Sequence, residues 1–280
     1  MNPIYLRHIH EICPDLSIET IVLNNDGLVN DVVIVNDRLI FRFAKGDYGR
    51  QALANETRIL SLIRPHITLA RPDPFHVSED MMAYPLLPGE ALTRQVVEAL
   101  TEPDQQAIAD QLATFLRQLH AVPCDATIPA TVAPCRYADQ LDIYHRVKKT
   151  VYPLLQKHQI AWAEALYASV LDDPTTFDYM PQLIHGDLAC YHMLFDSPSK
   201  RLTGMIDFGV AGLGDPALDI GCLLQYYGMD FVNRLYGAYP EAQALAKRAH
   251  FYAQVSGLAW ALNGLESGEP FWFVAHIGAA

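Results

Sequence analysis

The sequence predicts an α+β protein in two parts, a small antiparallel-sheet lobe over residues 1–88 and a larger, mainly helical lobe over residues 89–280. Three observations carry this. Short apolar runs separated by turn residues fill the chain up to Pro88-Gly89. Beyond that point, apolar residues recur at helical spacing. One island of short strands and turns, residues 183–219, interrupts those helices.

Taken in order, residues 19–24 read as an apolar strand and 27–30 as a turn. Residues 31–35 and 38–44 read as a hairpin, because Asn36-Asp37 between apolar runs is a good two-residue turn. A helix is expected over 51–63, where Leu53, Glu56, Leu60 and Ile63 fall at helical spacing. Residues 81–87 read as a last strand before Pro88-Gly89. Pro103 and His120 then bracket a helix with Ile108, Leu112, Phe115, Leu116 and Leu119 on one face. Residues 137–156 and 161–171 continue in that style, and more helices follow Asp219.

Composition narrows the function. With 51% hydrophobic and 19% charged residues, the chain can build a packed core. Apolar runs such as 257–262 are far shorter than the roughly 20 residues a membrane span needs. The first residues carry no secretory-type apolar segment, so a cytoplasmic location is expected. Cys13, Cys124, Cys135, Cys190 and Cys222 form no CxxC pair, so reduced thiols are expected rather than zinc ligands or disulfides. A net charge of −12 argues against nucleic acid or an anionic membrane as partner and suits a cationic small molecule. Nothing in the sequence asks for more than a monomer.

The chemistry lies in the island. His185-Gly186-Asp187 puts an acid on a tight turn after a short strand, His192 lies five residues on, and strand 204–206 delivers Asp207. Hairpin strands are expected to bring Asp187, His192 and Asp207 together at one end. Phosphoryl transfer needs such a set: a carboxylate to orient an acceptor hydroxyl and take its proton, and groups to hold Mg²⁺ against phosphate oxygens. Asp207 suits that hard ion, whereas the His192 imidazole suits it less well.

With these residues in place, the sequence strongly resembles the aminoglycoside phosphotransferase family, which shares the bilobal protein-kinase-like fold. His185-Gly186-Asp187, His192, Ile206-Asp207-Phe208-Gly209 and Gly214-Asp215-Pro216-Ala217 with Asp219 follow the family's ordered pattern. The resemblance implies that Asp187 is the catalytic base and that His192 and Asp207 are metal ligands. It implies that Asp219 braces the catalytic loop through backbone amides, with His185 buttressing it and Asp215 either a turn-former or a supporting group. His192 replaces the commoner Asn, as in the 2″-aminoglycoside and macrolide subgroups, and shifts the expectation slightly toward Mn²⁺ working as well as Mg²⁺.

The resemblance also assigns the first lobe to the nucleotide, ATP or GTP. Arg42 stands where protein kinases have the phosphate-contacting Lys, with Glu56 as its helix partner. A surface Arg on a strand fits the alternation equally, and Lys45 is a reserve candidate. The turn 26–30, including Asn30, is expected to cover the phosphates. Tyr84-Pro85-Leu86 is expected to meet the base, with Met81 or Met82 guarding the inner pocket.

The acceptor side is less defined. Glu266 and Glu269 beside Phe271, Trp272 and Phe273 could hold a polyamine sugar, or the aromatics could be ordinary packing; Asp139, Asp142 and Asp230 stand no better. The charge and His192 favour an aminoglycoside acceptor. A macrolide, a metabolite alcohol such as choline, homoserine or a sugar, and a non-catalytic nucleotide-binding role are the alternatives.

Overall fold

The computed structural model describes residues 3–25, 27, 29–125, 128–269 and 271–277. In chain order the elements are α1 (Pro3–Ile12), β1 (Ile21–Asn24), β2 (Asn30–Val35), β3 (Leu39–Ala44), α2 (Gly46–Ile63), β4 (His76–Val77), β5 (Met81–Pro85) and β6 (Glu90–Ala91). There follow α3 (Arg94–Glu98), α4 (Glu102–His120), α5 (Tyr137–Thr150), α6 (Lys157–Leu171), β7 (Gln182–Ile184), β8 (Met193–Asp196), β9 (Arg201–Met205) and β10 (Gly212–Gly214). Helices α7 (Ala217–Tyr227), α8 (Met229–Leu235), α9 (Ala246–Ser267) and α10 (Phe271–His276) complete the chain. The fold class is α+β, as expected.

Two compact units emerge, Met1–Thr93 with Cys190–Ala211 and Arg94–Ala189 with Gly212–Ala280. The first therefore runs past the expected limit at residue 88 and takes in the β8–β9 hairpin, which the sequence reading gave to the helical part. Pairing explains the difference: β6 continues the chain just after Gly89 and pairs with β8, Glu90 opposite Phe195 and Ala91 opposite Leu194.

In the first unit an antiparallel sheet has the order β1-β2-β3-β5-β4. The expected hairpin between β2 and β3 turns on Asn36 and Asp37, both left-handed at φ 54° and 48°, which is what a two-residue turn of this hand requires. Asn36 also accepts the Glu19 and Thr20 amides at 2.7 and 3.0 Å, which fixes its choice. Register decides the faces, since directly paired residues point the same way. Val33 pairs with Phe41 and Phe41 with Ala83; with Val35, Phe43 and Met81 they form a core closed by Ile9 of α1. Val32 pairs with Arg42 and Arg42 with Met82, so Arg42, Met82 and Tyr84 share the opposite face. Met82 is thus the methionine beside Arg42, while Met81 packs under α1. Helix α2 begins at Gly46, earlier than expected, and buries Leu53, Glu56, Ile59, Leu60 and Ile63.

In the second unit, α4 starts at the Thr101 cap and buries the expected stripe from Ile108 to Leu119, with His120 added at its end. Helix α5 stops at Thr150, short of the expected 156, because Pro153 forces a tighter 3₁₀ turn over Tyr152–Leu154. Helix α7 lies on α9 at Gly221, where a Cβ would sit 2.9 Å from the Ala249 carbonyl and the Tyr252 Cβ. Strands β7 and β10 pair antiparallel, Ile184 opposite Gly212, and frame the His185 turn. No described helix is long and apolar enough to cross a membrane.

Candidate active site

The first unit gathers four of the expected residues. Arg42 on β3 and Glu56 on α2 form a bidentate pair, with Nη1 donating to the two carboxylate oxygens at 2.9 and 2.7 Å. Arg42 is 5% exposed and Glu56 0%, so the alternative of a surface arginine is excluded. The Phe208 amide adds a third bond to Glu56 at 3.3 Å. Burial pushes the Glu56 carboxyl up from its ordinary value, against the pull of Arg42. Burial alone would lower the Arg42 guanidinium, but Glu56, Tyr84 and Asp207 together raise it.

Asp207 enters through the β8–β9 hairpin. Met193 pairs with Met205, and the Ile206 amide donates to the His192 carbonyl at 3.0 Å, so His192 and Asp207 leave the hairpin side by side. Asp207 adopts φ 66°, a left-handed conformation that aspartate tolerates better than most residues. Its Oδ1 lies 3.5 Å from Arg42 Nη2 and its Oδ2 lies 3.5 Å from His192 Nε2. The Asp207 side chain is 41% exposed, whereas those of Arg42 and His192 are 7% and 9%. One open carboxylate therefore stands between two buried nitrogen groups.

The remaining expected nucleotide residues have distinct settings. Asn30 is buried at the start of β2 with no hydrogen bond to its Oδ1. Tyr84 is buried on β5, its hydroxyl pushed up to about 12, chiefly by burial. The Leu86 amide donates to the Arg38 carbonyl at 2.8 Å, so that amide extends the sheet. Lys45, the reserve candidate, donates to the carbonyls of Asn25 and Gly27 at 2.8 and 2.6 Å and meets Asp31 at 3.1 Å. Those three contacts match the three donors of an ammonium group. Asp26 and Leu28, in the turn expected to cover phosphates, lie outside the described residues.

In the second unit, Asp187 follows β7 on a turn opened by Gly186 at φ 79°. It is half-buried, and its amide donates to His185 Nδ1 at 3.3 Å. Asp219, on the first turn of α7, accepts the His185 amide at 3.0 Å and the Gly186 amide at 2.9 Å. Burial would raise Asp219, but the hydrogen bond from His120 and the charges and amides around it bring its carboxyl below the ordinary value. Asp215 is fully buried against Arg248 at 2.6 and 3.0 Å and Tyr252 at 3.1 Å, and accepts the Ala217 amide at 3.0 Å. It both forms the turn and anchors it to α9. Sequence reasoning used His120 only as a helix end and missed Arg248, whose partner is 33 residues away.

The acidic candidates for an acceptor are mostly engaged. Arg146 pairs with Glu266 and, at 3.0 Å, with Asp142. Asp139 pairs with Arg136 at 2.7 Å, and Glu269 accepts the Trp272 indole N–H at 3.0 Å. Asp230 is exposed on the first turn of α8. Trp272 packs against Trp260 with ring centres 5.1 Å apart, while Phe271 is 68% exposed and Phe273 sits on α10 beside them.

Among the described residues, no group of three or more His, Cys, Asp and Glu could hold a metal. An ion that arrives with a nucleotide needs less, because Mg²⁺ is usually held by one or two carboxylates together with phosphate oxygens. The open Asp207 carboxylate fits that demand. The His192 nitrogen fits it less well, since imidazole favours transition metals.

Unit one thus holds a buried Arg–Glu pair facing an open aspartate, and unit two, by itself, a His-Gly-Asp turn braced by Asp219. Residues 20–252 match the phosphotransferase enzyme family, APH, and the chain belongs to that family. Viomycin phosphotransferase of Streptomyces vinaceus is 27% identical over 156 residues, which are 53% of this chain and 51% of that protein. The chain thus spans about half the length of that curated relative. The solved GDP and kanamycin complex of APH(2")-IIia matches with a TM-score of 0.88 and 26% identity, over 98% of this chain and 96% of that one. A macrolide 2'-phosphotransferase type I shares the fold at a TM-score of 0.77 and 23% identity, over 99% and 96%.

Proposed function

We propose that this chain transfers the γ-phosphate of ATP or GTP to a hydroxyl of an aminoglycoside and so confers resistance to it. The carrying observation is Asp207, an open carboxylate set between the buried Arg42 and His192. The GDP and kanamycin bound by the related structure support a purine nucleotide donor and a polycationic acceptor. A net charge of −12 favours the same acceptor class. The unit of residues 1–93 with 190–211 would hold the nucleotide and the other unit the acceptor, in a cytoplasmic monomer.

The reaction is an in-line displacement. Asp187 orients the acceptor hydroxyl and takes its proton as the oxygen bonds to the γ-phosphorus. The bond from that phosphorus to the bridging oxygen breaks, and the nucleoside diphosphate leaves with the electron pair. Arg42, held by Glu56, faces the phosphates with Asn30 beside them, and Tyr84 and Leu86 lie toward the base. Mg²⁺, held by Asp207 with His192, would neutralise charge on the phosphate oxygens. Positioning and charge account for most of the acceleration in such a transfer.

The test is nucleotide consumption by purified protein with Mg²⁺, using ATP and GTP separately, across aminoglycosides, macrolides and metabolite alcohols. Turnover that depends on an aminoglycoside, with raised resistance when a sensitive bacterium expresses the chain, is expected. Turnover only with a macrolide or a metabolite alcohol would reassign the acceptor. Silence with nucleotide still bound would favour a non-catalytic role, against which the intact Asp187 and Asp207 stand.

A further inference from the structure

Asp219 does more than accept two backbone amides. Its Oδ2 is shared with a third group, His120 Nε2 at 3.1 Å, and His120 Nδ1 lies 3.0 Å from the Tyr239 hydroxyl. These groups come from different elements: His120 ends α4, Tyr239 follows α8, and Asp219 opens α7. His120, Tyr239 and Asp219 are 5%, 6% and 0% exposed. A carboxylate only accepts hydrogen bonds, so the shared proton sits on Nε2. Asp219 thus receives three donors, two from the turn that carries Asp187 and one from a side chain 99 residues away.

We infer that His120 is a positioning residue for the transfer, acting through Asp219 to fix the His185-Gly186-Asp187 turn. The argument is geometric. With only the two turn amides as partners, the Asp219 carboxylate could swivel with the turn it holds. The imidazole ties Oδ2 to α4, and the Tyr239 hydroxyl fixes the imidazole from its other side. Asp187 is two residues from the anchored His185 amide, and a misplacement of about 1 Å at a reacting group costs on the order of a hundredfold in rate. This rests on the reading of Asp187 as the base.

Two substitutions separate positioning from packing. The side-chain amide nitrogen of Gln reaches about where imidazole Nε2 lies, and that of Asn reaches about where Nδ1 lies. His120→Gln keeps the donor to Asp219; His120→Asn loses it. Turnover of ATP or GTP with kanamycin is measured for both, alongside amide hydrogen exchange at His185 and Gly186 and thermal unfolding. His120→Asn is expected to lose turnover by on the order of a hundredfold with nucleotide KM within about twofold, while His120→Gln recovers most of it. Exchange at the two amides quickens in Asn alone. Equal turnover in all three proteins, or parallel loss of turnover and nucleotide affinity in both variants, overturns the inference. If the parent itself turns over nothing, the kanamycin kinase reading fails, and exchange alone decides. Faster exchange confined to His120→Asn then upholds the role of His120, and identical exchange ends it.

Discussion

Replacing Arg42 with Met should remove both stability and activity, and pairing it with Glu56→Leu should return stability alone. The Arg42 side chain is 7% exposed and that of Glu56 is 0%. Loss of the guanidinium removes bonds of 2.9 and 2.7 Å and leaves the Phe208 amide at 3.3 Å to face the carboxylate. Removing one partner of such a buried pair costs about 3–5 kcal/mol, whereas replacing both by apolar groups is often neutral. At about 2–4 °C per kcal/mol for domains of 150–250 residues, the single variant should melt on the order of 10 °C lower. The pH dependence has a definite sign. A carboxyl whose folded pKa lies above its unfolded value binds protons more tightly when folded, so stability falls as pH rises through the folded value. Glu56 is already raised by burial, and without the pull of Arg42 it rises further. The deficit of Arg42→Met should therefore be larger at pH 8 than at about pH 5. Thermal unfolding at both pH values, with nucleotide turnover alongside, checks this. A single variant that melts like the parent at pH 8, or a double variant that keeps turnover, would refute the role given to the pair.

Asp187→Asn should cut turnover by about 10²–10⁴-fold while nucleotide affinity, measured by titration, stays nearly unchanged. Asp207→Asn should weaken Mg²⁺-dependent nucleotide binding with little loss of melting temperature, because Asn tolerates the φ of 66°. Asp207→Val should lose about 1–2 kcal/mol more, since a β-branched residue is strained there; equal melting of the two would count against strain at this position. Asp219 has a folded pKa below its ordinary value, so its contribution is full above about pH 3.9 and is lost as pH falls through the lower folded value. Asp219→Asn should therefore flatten acid unfolding below about pH 4, as followed by circular dichroism.

Local pattern carried part of this fold and distance hid the rest. The Asn36-Asp37 turn and the α4 stripe were legible because a few adjacent residues dictate them. Arg42 and Glu56 could be matched only through the resemblance, since 14 residues separate them, but their side chains do meet. Helix α1 was missed although Tyr5, Ile9 and Ile12 fall at helical spacing and pack on the sheet core; the reading began at the strand of residues 19–24 and passed over them. Strands β4 and β6 are two residues each and exist through their partners alone. The bonds from His120 span 99 and 119 residues, so no window along the sequence could reveal them. The acids expected to greet a cationic acceptor proved largely paired within the second unit, because arginines at helical spacing or across α9 reach them first.

Unit one is discontinuous in sequence, and that has a bearing on how the chain comes off the ribosome. Thr93 ends its first segment and Cys190 begins its second. At about 5–20 residues per second, the nascent sheet waits roughly 5–20 s for the hairpin that brings the Phe208 amide to Glu56. Throughout that interval the buried carboxylate relies on Arg42, and the edge offered by β6 has no strand to take it. Early in synthesis, then, unit one lacks the segment that completes it, and a stop codon anywhere before Cys190 would leave it without the whole of that second segment.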